Sequence, residues 1–164
     1  MGKNYVRIDD RLIHGQICTA WAGTWGIKEI VAIDDKLASN KMLQSIMLMG
    51  IPSHIKAHIV TMDEGLKLFE QPSELNRLFV SRFTQDLARF GELLKKCELV
   101  NIGNAASRPD TKHIISKSGG AIFYASDDDV KVLDGLTAKG IRIVYQSMPT
   151  IMGKDWETLR KTIK

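Results

Sequence analysis

Short apolar runs alternate with amphipathic stretches along the whole chain. Tyr5, Val6 and Ile8 open it as a strand, and Glu29–Ile33, His58–Val60 and Leu78–Ser81 repeat the bulky, β-branched pattern of buried strands. Glu98–Asn104, Ala121–Tyr124 and Ile141–Tyr145 continue it. Between them lie helical periods. Ile17, Ala20 and Trp21 follow Gly15 and stop at Thr24-Trp25-Gly26. Ser39 is placed to cap a helix through Met42, Leu43, Ile46 and Met47, closed by Gly50 and Pro52. Asp63–Phe69 forms another, and Gln85–Lys96 one more, with Leu87, Phe90, Leu93 and Leu94 on one face. Ser126 with three following aspartates starts a helix that Gly140 ends, and Trp156 and Leu159 mark a short last one. Strands alternating with helices predict a single α/β domain with helices on both faces of a central sheet.

The first strand runs into the most reactive stretch of the chain, Arg7-Ile8-Asp9-Asp10-Arg11-Leu12-Ile13-His14-Gly15-Gln16. A loop between strand and helix lies at the carboxyl edge of the sheet, where open α/β folds bind ligands. A neutral histidine offers a nucleophilic ring nitrogen. Arg11 brings a planar fork suited to phosphate oxygens. Gly15 allows close backbone approach to an oxyanion, the helix N-terminus beyond it favours negative charge, and Gln16 adds a neutral donor and acceptor. Asp9 or Asp10 would hold the other ring nitrogen and fix the tautomer. Together these residues suit a phosphoryl group carried on His14, a chemistry of positioning and charge stabilisation. The plainer reading makes Asp10 a helix cap, Arg11 the partner of an acid and His14 a satisfied polar group.

Composition narrows the alternatives. The chain has 164 residues, 44% of them apolar, and a formal charge of +4. Its lysines and arginines are scattered without interleaved aromatics, which argues against nucleic acid and suits an acidic protein partner. Cys18 and Cys97 show no metal-ligand spacing, so two reduced, buried thiols of a cytoplasmic protein are expected. No stretch approaches a membrane span, so contact with a membrane would come through partners. His54, His58 and His113 are read as structural or exposed.

The stretch from Arg7 to Gln16, followed by Trp21, resembles the signature of the IIB component of the mannose/fructose/sorbose family of the sugar phosphotransferase system. The resemblance runs from about Tyr5 to Pro149, and its opening motif is the specific part. It implies a mainly parallel sheet of about seven strands with an antiparallel edge. It also implies that His14 is phosphorylated on its δ1 nitrogen by a IIA component, with Arg11 assisting. The phosphoryl group then passes to a sugar held by the membrane components IIC and IID. Neither metal nor organic cofactor is expected, and a homo-oligomer is left open. Asp10, Gly15, Gln16 and Arg82 join His14 and Arg11 as candidate phosphate-binding residues.

Three departures qualify the resemblance. Leu43-Gln44 stands where many relatives carry a basic pair used in sugar transfer. Arg82 replaces part of a Phe-Thr-Asn-Pro-like run, and Gly103-Asn104-Ala105 a Gly-Gly-Met turn in which Asn104 is expected to tolerate left-handed geometry. Arg82, Gln44 and Gly103-Asn104 together resemble the members serving N-acetylgalactosamine and related amino sugars. Two other functions stay open at this level. One is a receiver-like domain phosphorylated on Asp34 or Asp35, although helix capping is the preferred role of that pair. The other is a binding or regulatory module that has lost sugar transfer.

Overall fold

A computed structural model of the chain describes residues 1–118 and 120–163. Gly119, expected to help turn the chain before Ala121, lies outside them. Strand β1 (Asn4–Asp9) is central. It pairs in parallel with β4 (Arg77–Ser81) on one side and β5 (Leu99–Asn104) on the other. With β2 (Glu29–Ile33), β3 (Lys56–Val60), β8 (Ile143–Tyr145) and β9 (Lys154–Asp155), the sheet has the order β3-β2-β4-β1-β5-β8-β9. Only β9 runs antiparallel, at the edge. The mainly parallel, seven-stranded sheet with an antiparallel edge is therefore as expected, but one strand differs. Ala121–Ala125 (β7) pairs with His113–Ser118 (β6) in a separate hairpin. A bridge from Ala105 to Phe123 ties that hairpin to the end of β5.

Alternation along the strands divides the core into two layers. Val6, Ile8, Val31, Ile33, Phe79 and Ile102 face one way. They meet α4 (Met62–Glu70), α5 (Leu87–Phe90), α6 (Asp127–Ala138) and α7 (Trp156–Arg160). Tyr5, Ile30, Ala32, Leu78 and Val80 face the other way. That layer meets a π-helical turn (Ile17–Trp21), which continues as α1 (Ala22–Trp25), and Leu37 of α2 (Asp35–Ala38). Gly26 closes α1 at φ 61°, the left-handed geometry that its missing side chain permits.

Capping corrects two local readings. Asn40, not Ser39, accepts the hydrogen bond from Leu43 N that starts α3 (Lys41–Leu48). Both residue types cap well, and the extended backbone at position 40 decides between them. The segment from Gln85 to Lys96 is not one helix. A 3₁₀ turn, α5 and a second 3₁₀ turn follow one another, broken where Gly91 takes φ 52°. Ser126 does cap α6, in a reciprocal box with Asp129.

The registers gather four strand ends at one edge. Ile8 lies opposite Ser81, and so does Ile33. Asp9 lies opposite Asn104. The residues that follow these strands, Asp10, Asp34 and Arg82, therefore emerge side by side. Between β1 and β5 the register slips, because Ile8 faces Ile102 while Asp9 faces Asn104. Gly103 is left as an extra residue in β5, a bulge beside the loop that carries His14. No left-handed residue is needed there, contrary to the expectation for Asn104. Among the described non-glycine residues only Leu12 has positive φ.

Candidate active site

Leu12 explains how a polar loop is held in place. Its φ of 55° is costly for a residue with a Cβ, by roughly 1–2 kcal/mol. Its side chain is fully buried with Ile13, Ile17 and Leu37, a burial of about 1.5–3 kcal/mol that offsets the strain. Leu12 N also donates to Asp9 O at 3.0 Å. Anchored at Leu12 and Ile13, the loop turns Arg11 and His14 toward solvent.

Asp9 is the centre of the site. Its carboxylate is fully buried and accepts five N–H donors. Oδ1 takes Arg11 N at 3.1 Å and Arg11 Nε at 3.0 Å. Oδ2 takes Arg11 Nη2 at 3.1 Å, Arg7 Nη2 at 3.2 Å and His14 Nε2 at 3.0 Å. Burial alone would raise the carboxyl pKa. The hydrogen bonds from His14 and Arg11 and the charge of Arg7 outweigh it and hold the group well below the usual carboxylate range. Two guanidinium charges converge on one carboxylate, so these three side chains together carry a net positive charge.

The choice between Asp9 and Asp10 is thereby settled in favour of Asp9. An ionised carboxylate only accepts, so Nε2 of His14 carries the proton and the lone pair of the neutral ring lies on Nδ1. The His14 side chain is 15% exposed, enough to be reached from solvent. Asp10 is held elsewhere. Its Oδ1 accepts from Asn104 Nδ2, its N–H donates to Asn104 O at 3.0 Å, and its carbonyl accepts from Arg82 Nη1. It caps no helix. Arg11 does pair with an acid, as the plainer reading has it, while its Nη1 donates no hydrogen bond among the described residues. Gln16 meets Arg11 Nη2 only at 3.5 Å, and Gly15 is exposed with open space where a Cβ would be.

Arg82 shares this edge. Its Nε donates to Asp34 Oδ2 at 2.6 Å, so it ties the end of β2 to the His14 loop. Asp34 also caps α2 through Leu37 N, and Asp35 accepts from Met62 N at 2.8 Å. Both aspartates are thus committed to capping and pairing, which leaves the receiver-like reading without its acceptor. Gln44 likewise has a structural role, donating to Leu37 O and Ala38 O at 2.7 and 3.0 Å. Leu43 lines a groove of about 550 Å³ with Asp34, Asp35, Arg82, Phe83 and Arg89. His58 pairs with Glu29 and His113, in the separate hairpin, with Asp127. The two thiols are unpaired: Cys18 is buried and Cys97 half-buried, where burial pushes its thiol up to about 12. Among the described residues no three His, Cys, Asp or Glu side chains gather in a metal-holding arrangement.

Arg7 is the residue that reading the sequence missed. Its signal was present: an arginine between Val6 and Ile8, inside a strand otherwise built for burial on both faces.

A histidine with one nitrogen pinned, beside a fixed arginine, has the chemistry to carry a transferable group. Comparison with known proteins gives the family. The family model described as the PTS (phosphotransferase system) sorbose subfamily IIB component matches residues 3–164, and the chain belongs to that family. It is a phosphotransferase component that accepts a phosphoryl group from a IIA component and transfers it to a sugar. A PTS fructose-specific EIIB component of Bacillus subtilis (strain 168) is 25% identical over 159 residues, 96% of this chain and 94% of the relative. The N-acetylgalactosamine-specific phosphotransferase enzyme IIB component 1 of Escherichia coli (strain K12) is 27% identical over 147 residues, 87% of this chain and 89% of the relative. The crystal structure of manxB from Thermoanaerobacter tengcongensis superposes with a TM-score of 0.80 at 30% identity, covering 98% of this chain and 96% of the other. Among the described residues no helix is long and apolar enough to cross a membrane.

The buried carboxylate gives this site a pH signature. The unfolded chain titrates Asp9 near pH ~3.9, the folded protein lower. Its contribution to stability is therefore fully present above about pH 4 and is lost as pH falls toward the depressed folded value. Asp9→Asn leaves Arg7 buried without its anion, which should cost about 3–5 kcal/mol at pH 7. It should also flatten the loss of stability as pH falls from about 4 to about 2. Urea denaturation across that range checks both, and an equally steep acid limb in the variant would contradict the assignment.

Proposed function

We propose that His14 Nδ1 is the phosphoryl acceptor of this IIB component. The observation that carries the reading is the contact from His14 Nε2 to Asp9 Oδ2, which leaves Nδ1 as the unprotonated nitrogen of a partly exposed side chain. In the first half-reaction the Nδ1 lone pair attacks phosphorus as the bond to the IIA donor breaks. Forming the N–P bond makes the imidazole ring cationic, and the Asp9 carboxylate stabilises that charge through Nε2–H, so no proton need leave. In the second half-reaction a sugar hydroxyl attacks phosphorus and the N–P bond breaks. The hydroxyl proton passes to a base outside this chain, and the neutral ring is regenerated with its proton still on Nε2.

Arg11 stabilises the charge on the transferring oxygens. Its Nε and Nη2 are already fixed on Asp9, so the free Nη1 edge is presented without further ordering. Asp10, Gly15, Gln16 and Arg82 form the rest of the phosphate-binding rim. Asp10 takes part through its backbone and through the Arg82 guanidinium it holds, since a carboxylate repels phosphate. Arg82 supplies, from the end of β4, the positive charge that Leu43-Gln44 cannot. The acceptor is proposed to be an amino sugar such as N-acetylgalactosamine, held by the IIC and IID components at the membrane, with this chain on the cytoplasmic side. The support is the combination of Arg82, Gln44 and Asn104 in this chain. Similarity alone does not choose, because fructose-specific and N-acetylgalactosamine-specific relatives are about equally identical to it.

Incubation with a phosphorylated IIA component, followed by mass spectrometry under alkaline conditions, should place one phosphoryl group on His14. His14→Ala should fold and accept none. Label on His54, His58, His113 or an aspartate would overturn the assignment. Arg11→Lys keeps the charge but cannot hold both Asp9 oxygens and the phosphoryl group together. It should slow acceptance by an amount equivalent to about 2–4 kcal/mol, as for loss of one preorganised oxyanion donor. Rapid-quench measurement at the parental rate would remove Arg11 from this role.

A further inference from the structure

Beneath Asp9 lies a cation that no phosphoryl group can touch. Arg7 is fully enclosed. Its Nη2 donates to Asp9 Oδ2 and to Ser147 O, both at 3.2 Å, and its Nη1 donates to Asn101 Oδ1 and, at 3.2 Å, to Gln146 O. Asn101 is its partner across the β1–β5 ladder. Its Cζ lies 4.9 Å from the centre of the Trp21 ring, and Trp21 Nε1 donates to the same Ser147 carbonyl at 3.2 Å. The seat is made by the bulge glycine. A Cβ on Gly103 would fall 1.9 Å from Arg7 Nη2 and 2.1 Å from Cζ, and the three atoms nearest to it all belong to this guanidinium.

Burying a guanidinium is costly, and apolar residues of similar volume often stabilise such a site at least as well. Packing therefore does not explain the choice of arginine. Its direction does: the Asp9 oxygen that Arg7 holds from within the protein is the one that His14 Nε2 meets from outside. We propose that Arg7, seated by the missing side chain of Gly103, is a positioning residue that holds Asp9 Oδ2 against His14 Nε2 and so keeps Nδ1 as the attacking nitrogen. The inference deepens, and rests on, the reading of His14 as acceptor. Arg11 alone does not suffice, because it grips Asp9 from the half-exposed side and must also meet the incoming phosphoryl group. Arg7 touches only fixed partners and leaves Asp9 a single orientation.

Gly103→Ala isolates this role, since it displaces the guanidinium while leaving Arg7, Asp9, Arg11 and His14 in the chain. Two quantities are read at a temperature where thermal denaturation shows the variant folded. One is the exchange rate of the His14 Nε2 proton by NMR, and the other is the rate of phosphoryl acceptance from phosphorylated IIA. Gly103→Ala should speed proton exchange at least tenfold and slow acceptance at least tenfold, and Arg7→Lys should do the same. The double variant should be little worse than either single one, because lysine's smaller head relieves the clash. Should both single variants fail to fold, Trp21→Phe keeps an aromatic face but frees the Ser147 carbonyl, and both rates should shift in the same directions. Folded variants with parental exchange and acceptance, or losses that simply add, would make Arg7 a structural ion only and overturn the proposal. If the parent protein itself accepts no phosphoryl group, the acceptor reading fails, while proton exchange still decides whether Arg7 positions Asp9.

Discussion

The buried carboxylate of Asp9 is the constraint on which the site depends. A charge with no water around it is tolerable only when donors replace the lost hydration. Here the donors come from three residues on different structural grounds: Arg7 from the same strand, Arg11 from the turn and His14 from the start of the helix. Satisfying Asp9 therefore fixes the path of the loop. It also fixes which nitrogen of His14 carries the proton, so the stability and the chemistry of the loop rest on one set of hydrogen bonds.

The surrounding fold can be read as what places Asp9 there. A central parallel strand must end somewhere in the carboxyl crevice of the sheet, and β1 ends between β4 and β5. The bulge at Gly103 shifts the last pair of the β1–β5 ladder, opens space for Arg7 and sets Asn104 against Asp10. Asn104 in turn accepts from Ile122 N at 3.1 Å, which connects the outlying hairpin to the same loop. Leu12 pulls the turn down into the apolar layer at the expense of a left-handed backbone. Strain and a buried ion pair both occur within a few residues of His14. That is where local rules are expected to yield to function.

Much of this was legible in the sequence, for physical reasons. Buried parallel strands are nearly continuous apolar runs, so β1, β2, β4 and β5 announce themselves. The polar loop after β1 stands out because it follows such a run with three ionisable side chains, Asp10, Arg11 and His14. Tertiary pairing was not legible. Ala121–Ala125 has the composition of a sheet strand but closes a hairpin, and the two-residue β9 has no signal of its own. The break at Gly91 was hidden by the amphipathic period on either side of it. Asp9 and Asp10 are chemically equivalent in the sequence, and only the alternation of β1, which turns Asp9 inward and leaves Asp10 for Asn104, separates them. Arg7 was visible as an anomaly, but its meaning needed Gly103 from the far side of the ladder.

One atom decides the chemistry, the nitrogen of His14 proposed to receive phosphorus. With the protein labelled in its imidazole nitrogens and phosphorylated by its IIA component, coupling between nitrogen and phosphorus in NMR identifies that atom directly. The arrangement around Asp9 requires the coupling at Nδ1, with Nε2 still bearing its proton. Phosphorus on Nε2 would mean that the contact between His14 and Asp9 breaks before transfer, and would contradict the account at its centre.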